Sequence, residues 1–219
     1  MIEPNPGRTM TRACLALKWQ SLTHPCEVFG FYGRKEETGD RAIFCNFYRQ
    51  SPFTFVVPDC VCAIPLSLED RSVECTFSEK PIMLCKAAAH GDAEAYFNIT
   101  KADTPGDAKK LGRMVKNKEG EFDDVLWKEI ECSVAFEVVF QKFSKTDNLR
   151  KILLDHAGDK TIFAEMTSKD VNWGTGMVRM DIEADGWNVP ANWPGSNMLG
   201  WAINEVADIL KQESDMFEK

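Results

Sequence analysis

Between positions 123 and 143 the chain reads DDVLWKEIECSVAFEVVFQKF, and its apolar residues Leu126, Ile130, Val134, Val138 and Phe143 recur at roughly helical spacing. That period predicts one long core helix. An apolar face sustained for so many turns must be covered by other elements. The remainder of the 219 residues is therefore read as what packs around it.

Start and stop signals divide the rest. Ser78 is placed to cap a helix running to about His90, with Pro81 tolerated in its first turn and Gly91 as its stop. Asp92 can cap a second helix through AEAYFNITKA, and Thr104 followed by Pro105 opens a third to about Lys116. Thr146 and Asp147 open NLRKILLDHAG, closed by Gly158, and a last helix from about Met198 to Glu213 packs Leu199, Ile203, Val206 and Leu210. From Val28 to Phe77, VFGFYG, AIFCNFY, FTFVVPDCVCAIPL and VECTF are rich in aromatic and β-branched residues and broken by Pro and Gly, which predicts short strands and loops. TIFAEM predicts one more strand. The expected fold class is α+β, mainly helical: a compact single domain over 26–215 with a few short strands, preceded by an extension over 1–25.

Charge and cysteine usage narrow the partners. A net charge of −8 disfavours long-range capture of nucleic acid. The cluster Lys101, Lys109, Lys110, Arg113, Lys116 and Lys118 suits a few phosphates rather than a DNA track. The eight cysteines show no CxxC spacing, and none of the three histidines stands near one at ligand spacing. They read as reduced thiols acting as small hydrophobes. No metal site and no cofactor is expected. No apolar run reaches membrane-span length and no secretory signal is recognisable, so the cytoplasm is the expected location, with the nucleus also open.

Several side chains can carry chemistry, each with a plainer role beside it. Glu79 starts a helix, where the macrodipole favours a carboxylate; many first-turn glutamates merely cap. Lys86 lies two helical turns on and shares its face, so its amine can be desolvated into a nucleophile, or can simply snorkel. In TPGDAKKLGR, Lys109, Lys110 and Arg113 can grip phosphate beside Gly112, or form a solvated face. KDVNWGTG offers Trp173 to stack a base, with Gly174 and Gly176 shaping the loop. Asn197, in PGSNMLGW, sits near the cap of the last helix.

The order of these segments says more than any one of them. FYG at 31–33, FCNF at 44–47, SEK then CKA at 78–87, TPGDAKKLGR at 104–113, Trp127, KFS at 142–144, LRKILLDHAGDKTIFAE at 149–165, DVNWGTG at 170–176 and GSNMLG at 195–200 form one collinear series over roughly 29–210. The series closely resembles the NADAR family, which includes the YbiA-like N-glycosidases of riboflavin intermediates. The resemblance implies a compact α+β domain that cleaves C–N glycosidic bonds, on ribosylaminopyrimidine phosphates in some members and on ADP-ribosylated guanine in others. It places the family's glutamate at Glu79, its helix lysine at Lys86, and its aromatic and acidic positions at Trp127, Asp170 and Trp173. Departures stand at Lys80, Pro81, Ile82, Met83 and Cys85, at Val206 and Ala207 in the last helix, and in extra sequence at about 50–73 and 177–194.

The expectation is thus an N-glycosidase releasing a guanine-like amine from ribose, foremost ADP-ribose from guanine. Hydrolysis of riboflavin intermediates and a non-catalytic ADP-ribose reader are the alternatives. Glu79, Lys86 and Asp170 are the expected catalytic residues. Phe31, Tyr32, Phe44, Asn46, Lys109, Gly112, Arg113, Trp127, Trp173, Gly174, Gly176 and Asn197 are the expected substrate contacts, with transient contact to DNA or RNA if the adduct is carried there.

Overall fold

The structure, a computed structural model, describes residues 5–33, 36–177 and 186–217. The long helix forms as its period requires, here α6 (Asp124–Ser144), opened by the Asp123 carboxylate, which accepts hydrogen bonds from the amides of Val125 and Leu126. It buries two faces rather than one stripe. Cys132, Ala135, Phe136, Val139 and Phe143 join one apolar cluster, while Trp127, Val134 and Val138 join another. The first cluster is completed by α8 (Met198–Phe217) through Trp201, Ile203, Val206 and Leu210. The second is completed by α3 (Glu79–His90) and by an antiparallel hairpin of β2 (Phe53–Val56) and β3 (Ser72–Cys75).

A second sheet pairs β1 (Val28–Phe31) in parallel with β4 (Ile162–Glu165), matching Val28 to Ile162 and Phe31 to Glu165. Two strands alone are marginal in water. Side-chain amides from α8 and from Asn197 just before it take the place of a further strand along the free edge of β4. Asn204 accepts from the Phe163 amide at 3.1 Å and donates to the Thr161 carbonyl, while Asn197 accepts from the Glu165 amide and donates to the Phe163 carbonyl at 2.9 Å. Gly200 permits this approach, since a Cβ there would run into the Phe163 carbonyl and the Asn197 amide.

The remaining helices are α1 (Arg12–Gln20), the single turn α2 (Leu68–Arg71), α4 (Ala93–Thr100), α5 (Pro105–Gly112) and α7 (Asp147–His156). Helix α1 is tied down by Leu15 and Trp19 in the core and by a bidentate pair of Arg12 with the fully buried Glu131 of α6. Removing one partner of such a pair would strand a charge in the interior.

Some expectations need correction. AIFCNFY is not a strand: Ala42 to Cys45 are buried consecutively, which no alternating strand allows, and the chain coils there as a 3-10 segment (Glu36–Phe44) and a turn. Ser78 stands at the start of α3 but makes no side-chain cap; the Glu79 amide donates instead to the Asn46 carbonyl at 3.0 Å. Helix α5 stops at Gly112, short of Lys116, and α8 runs past Glu213 to Phe217. All eight cysteines are free; Cys45, Cys75, Cys85 and Cys132 are buried hydrophobes, whereas Cys14 and Cys60 are exposed. Of the extra sequence, 50–73 supplies β2 and α2, while 178–185 lie outside the described residues. Among the described residues no helix is long and apolar enough to cross a membrane.

Candidate active site

Helix α3 presents its first turn to a cavity of about 250 Å³ bounded by α5, by the start of α6, and by the loop that follows β4. The cavity opens at the carboxyl ends of the parallel strands, where loops and helix starts leave room for a ligand. A larger groove of about 950 Å³ lies between α6, α8 and β2 and holds Lys145, a single amine of lowered proton affinity, whereas two raised carboxyls and a lowered amine, Glu79, Glu165 and Lys86, line the smaller cavity together.

Glu79 is only 5% exposed and faces this space. Burial pushes its carboxyl up to about 7; the Lys109 ammonium, 3.9 Å away, pulls it back, and the nearby Asp170 charge adds to the rise. Lys86 lines the same cavity, with its ammonium over the ring faces of Phe122 (4.3 Å) and Trp127 (5.4 Å). Burial lowers the proton affinity of this amine, while the Glu79 charge opposes the change. The ring faces favour the cation as well.

Asp170 lines the cavity too, though one of its oxygens is occupied. Oδ1 accepts from the amides of Asn172 (3.0 Å) and Trp173 (2.9 Å), a local turn that sets the Trp173 indole against both apolar clusters and at the cavity wall. Asn46, Lys109, Arg113 and Trp127 complete the expected residues that the fold brings together here. Arg113 is exposed at the C-terminal end of α5, and Lys109 also lies over the Phe47 ring at 5.3 Å. Among the described residues no group of His, Cys, Asp and Glu is arranged to hold a metal ion.

Other expected contacts stand behind the site. Phe31 and Phe44 are sealed in the core, where Phe44 packs on Phe29, Phe31, Phe143 and Phe163; neither lines the cavity. Gly112 meets Met83, so α5 closes on α3 and carries Lys109 toward Glu79. Gly174 packs the loop onto β4, where a Cβ would come within 2.9 Å of the Glu165 carbonyl. Gly176 has φ +76°, a turn that favours glycine, and Asn197 is fully buried at φ 45° with its amide spent on β4. Tyr32 lines an adjoining lobe of about 360 Å³ together with Thr167 and Lys169.

Sequence reasoning passed over Glu165, which lines both lobes. Desolvation first, then the Asp170 and Glu79 charges, push its carboxyl up to about 8. The available signal was an acid at the carboxyl end of a buried apolar strand, a place where a ligand and not solvent is the usual neighbour. It also passed over Ile82 and Met83, two positions of departure that prove to line the cavity, and Phe122 above Lys86.

Comparison with known proteins places this arrangement. The NADAR domain family matches residues 30–211. Protein irg-1 of Caenorhabditis elegans is 30% identical over 142 residues, covering 65% of this chain, and the chain spans only 64% of that relative's length. The NMR structure of the E. coli protein YbiA is similar in fold, with a TM-score of 0.59 at 21% identity over 89% of this chain and 92% of that one.

Proposed function

This chain belongs to the NADAR domain family, and from that premise we propose that it is an N-glycosidase cleaving the bond between ribose and the exocyclic amine of a guanine-like base, with ADP-ribose on guanine as its foremost substrate. One observation carries the reading: a buried carboxyl and a desolvated amine, Glu79 and Lys86, share one cavity walled by two indoles, Trp127 and Trp173. The indoles offer faces for a sugar or base, and Asn46 offers hydrogen bonds to a hydroxyl or base edge. The eight free thiols fit a reducing compartment, the cytoplasm or nucleus.

An exocyclic N-riboside can open to an imine, and this supplies the chemistry. The unprotonated Lys86 amine adds to the sugar's first carbon, the base amine is expelled, and water releases the sugar from the resulting Schiff base. Glu79, close to neutral pH in its proton affinity, shuttles protons and orients water. A route without the lysine adduct has Glu79 activate water against an oxocarbenium-like carbon.

The test is a paired assay in which wild-type protein meets an oligonucleotide carrying ADP-ribosyl-guanine and, separately, a ribosylaminopyrimidine phosphate. Release of ADP-ribose, leaving unmodified guanine in the oligonucleotide, is expected. Release from the pyrimidine alone would move the substrate to riboflavin intermediates, and release from neither, with ADP-ribose still bound, would leave a non-catalytic reader.

Arg113, exposed at the mouth, is assigned to phosphate together with Lys109. Arg113→Glu is expected to raise KM for phosphorylated substrates by about tenfold or more, since charge reversal replaces an attraction by a repulsion at close range. KM for a dephosphorylated riboside should stay within about threefold, a change under 1 kcal/mol. Equal effects on both would remove the phosphate role.

A further inference from the structure

The cavity contains more acid than the two-residue chemistry uses. Glu165 ends β4 at the wall shared by the inner lobe, with Glu79 and Lys86, and the outer lobe, with Tyr32 and Lys169. Its backbone is held from several sides. The amide donates to Asn197 at 3.1 Å, and the carbonyl accepts from the amides of Thr167 (3.1 Å) and Thr175 (2.9 Å) and from the Thr175 hydroxyl (3.1 Å). The carboxyl, by contrast, makes no hydrogen bond to any described residue. A fixed main chain carrying an unengaged carboxyl into a cavity is an arrangement suited to a ligand rather than to packing.

We propose that Glu165 is the acid that protonates the departing amine, its carboxyl O–H delivering the proton to the nitrogen as the C–N bond to the sugar breaks. The inference rests on the N-glycosidase reading. Amines are poor leaving groups as anions, so under either route the nitrogen must gain a proton when it leaves. With the lysine adduct, the bond from the sugar's first carbon to the base nitrogen breaks, its electron pair stays on that nitrogen, and the Glu165 proton completes the free amine. The carbon is left doubly bonded to the Lys86 nitrogen and Glu165 is left as carboxylate. Water then adds its hydroxyl to the carbon and returns a proton to Glu165. Collapse of that adduct forms the aldehyde, moves the hydroxyl proton to the Lys86 nitrogen and frees the amine.

The surrounding charges sort the two glutamates into different tasks. Glu79 has Lys109 at 3.9 Å, which pulls its carboxyl back to about 7, whereas Glu165, half-buried beside Asp170 and Glu79, is pushed up to about 8. The Lys109 charge favours Glu165 ionisation; Arg113 and Lys169 also line its lobe, and the Cys45 thiol is its neutral neighbour. Two carboxyls whose environments separate their proton affinities divide acid from base. The carboxyl with the cation beside it is the one suited to act as base, and the one held among acids is the one suited to keep a proton for delivery.

The experiment compares wild type, Glu165→Gln and Glu165→Asp for base release across pH 5–10, about two pH units either side of the working range, on whichever substrate of the paired assay the wild type cleaves. Wild-type kcat/KM is expected to fall above about pH 8. Glu165→Gln should lose about 100-fold at pH 7 and lose that alkaline limb, because the amide cannot give up a proton. Glu165→Asp keeps a carboxyl and should keep a limb with a smaller loss; it decides the matter should the glutamine variant not fold. ADP-ribose binding by calorimetry should remain unchanged in both. A glutamine variant with the wild-type rate or the wild-type limb, or an aspartate variant with an unaltered rate, overturns the assignment alone. Wild-type protein that releases base from neither substrate overturns it together with the N-glycosidase reading.

Discussion

Replacing Glu79 by alanine should lower turnover on a cleaved ribosylamine by about 10²–10⁴-fold, the span expected when a positioned proton-transfer group is lost. An active Glu79→Ala protein would refute the assignment. The same residue makes a second, opposite forecast for stability. Its carboxyl sits at about 7 in the fold against an ordinary 4.5, so the folded chain keeps a proton the unfolded chain has released. Stability therefore falls as pH rises from about 4.5 through about 7, and remains lowered above it. Glu79→Gln has the shape without the ionisation. At pH 8 it should be more stable than wild type by on the order of 2 kcal/mol, or roughly 5 °C in Tm for a domain of this size. At pH 4, where the carboxyl is protonated in both states, the gap should close. Activity falling while stability rises is the signature of a group retained for chemistry; a Glu79→Gln protein less stable at pH 8 would mark it as structural.

How much of this could be read from the letters depends on which physical quantity each position reports. Caps and breakers are local, so Asp92, Thr104 and Gly91 mark helix ends where the structure has them. The period of α6 was legible, but not that it would be buried on two faces, because Cys132, Ser133 and Gln141 are weak hydrophobic signals; the turn at Pro6–Arg8 packs on Cys132 and Ser133, and β2 on Gln141. Gln141 shows why: its amide pairs with both the N–H and the C=O of Val56, bonding the edge of β2 as a neighbouring strand would. Glu79 and Lys86 share a helix face by spacing alone, which is why that pair could be proposed early. Glu165 had only its place at a strand end to mark it, since its carboxyl faces its neighbours only after β4, the following loop and α5 have met. The motif glycines Gly112 and Gly174 stand where the chain comes close to a side chain, Met83 in one case and Thr167 in the other. A glycine in a series of motifs reports a close contact without saying with what.

The remaining large effect concerns Lys86, and it separates the two routes. Lys86→Arg keeps a cation available to the faces of Phe122 and Trp127, but a guanidinium stays protonated and cannot form a Schiff base. If the amine bonds to the sugar, this variant should lose on the order of 10³-fold in turnover, about 4 kcal/mol of barrier. Borohydride added during wild-type turnover should then leave the sugar's mass on the peptide containing Lys86, and none should be found on the arginine variant. On the acid side of the fall assigned to Glu165, the wild-type rate should also climb with pH as the amine, whose proton affinity burial has lowered, becomes neutral. If the lysine serves only as a charge beside an oxocarbenium-like centre, arginine should preserve the rate within about tenfold and borohydride should trap nothing on either protein. Because the cation survives the substitution, a loss of rate reports loss of the nucleophile rather than of the charge.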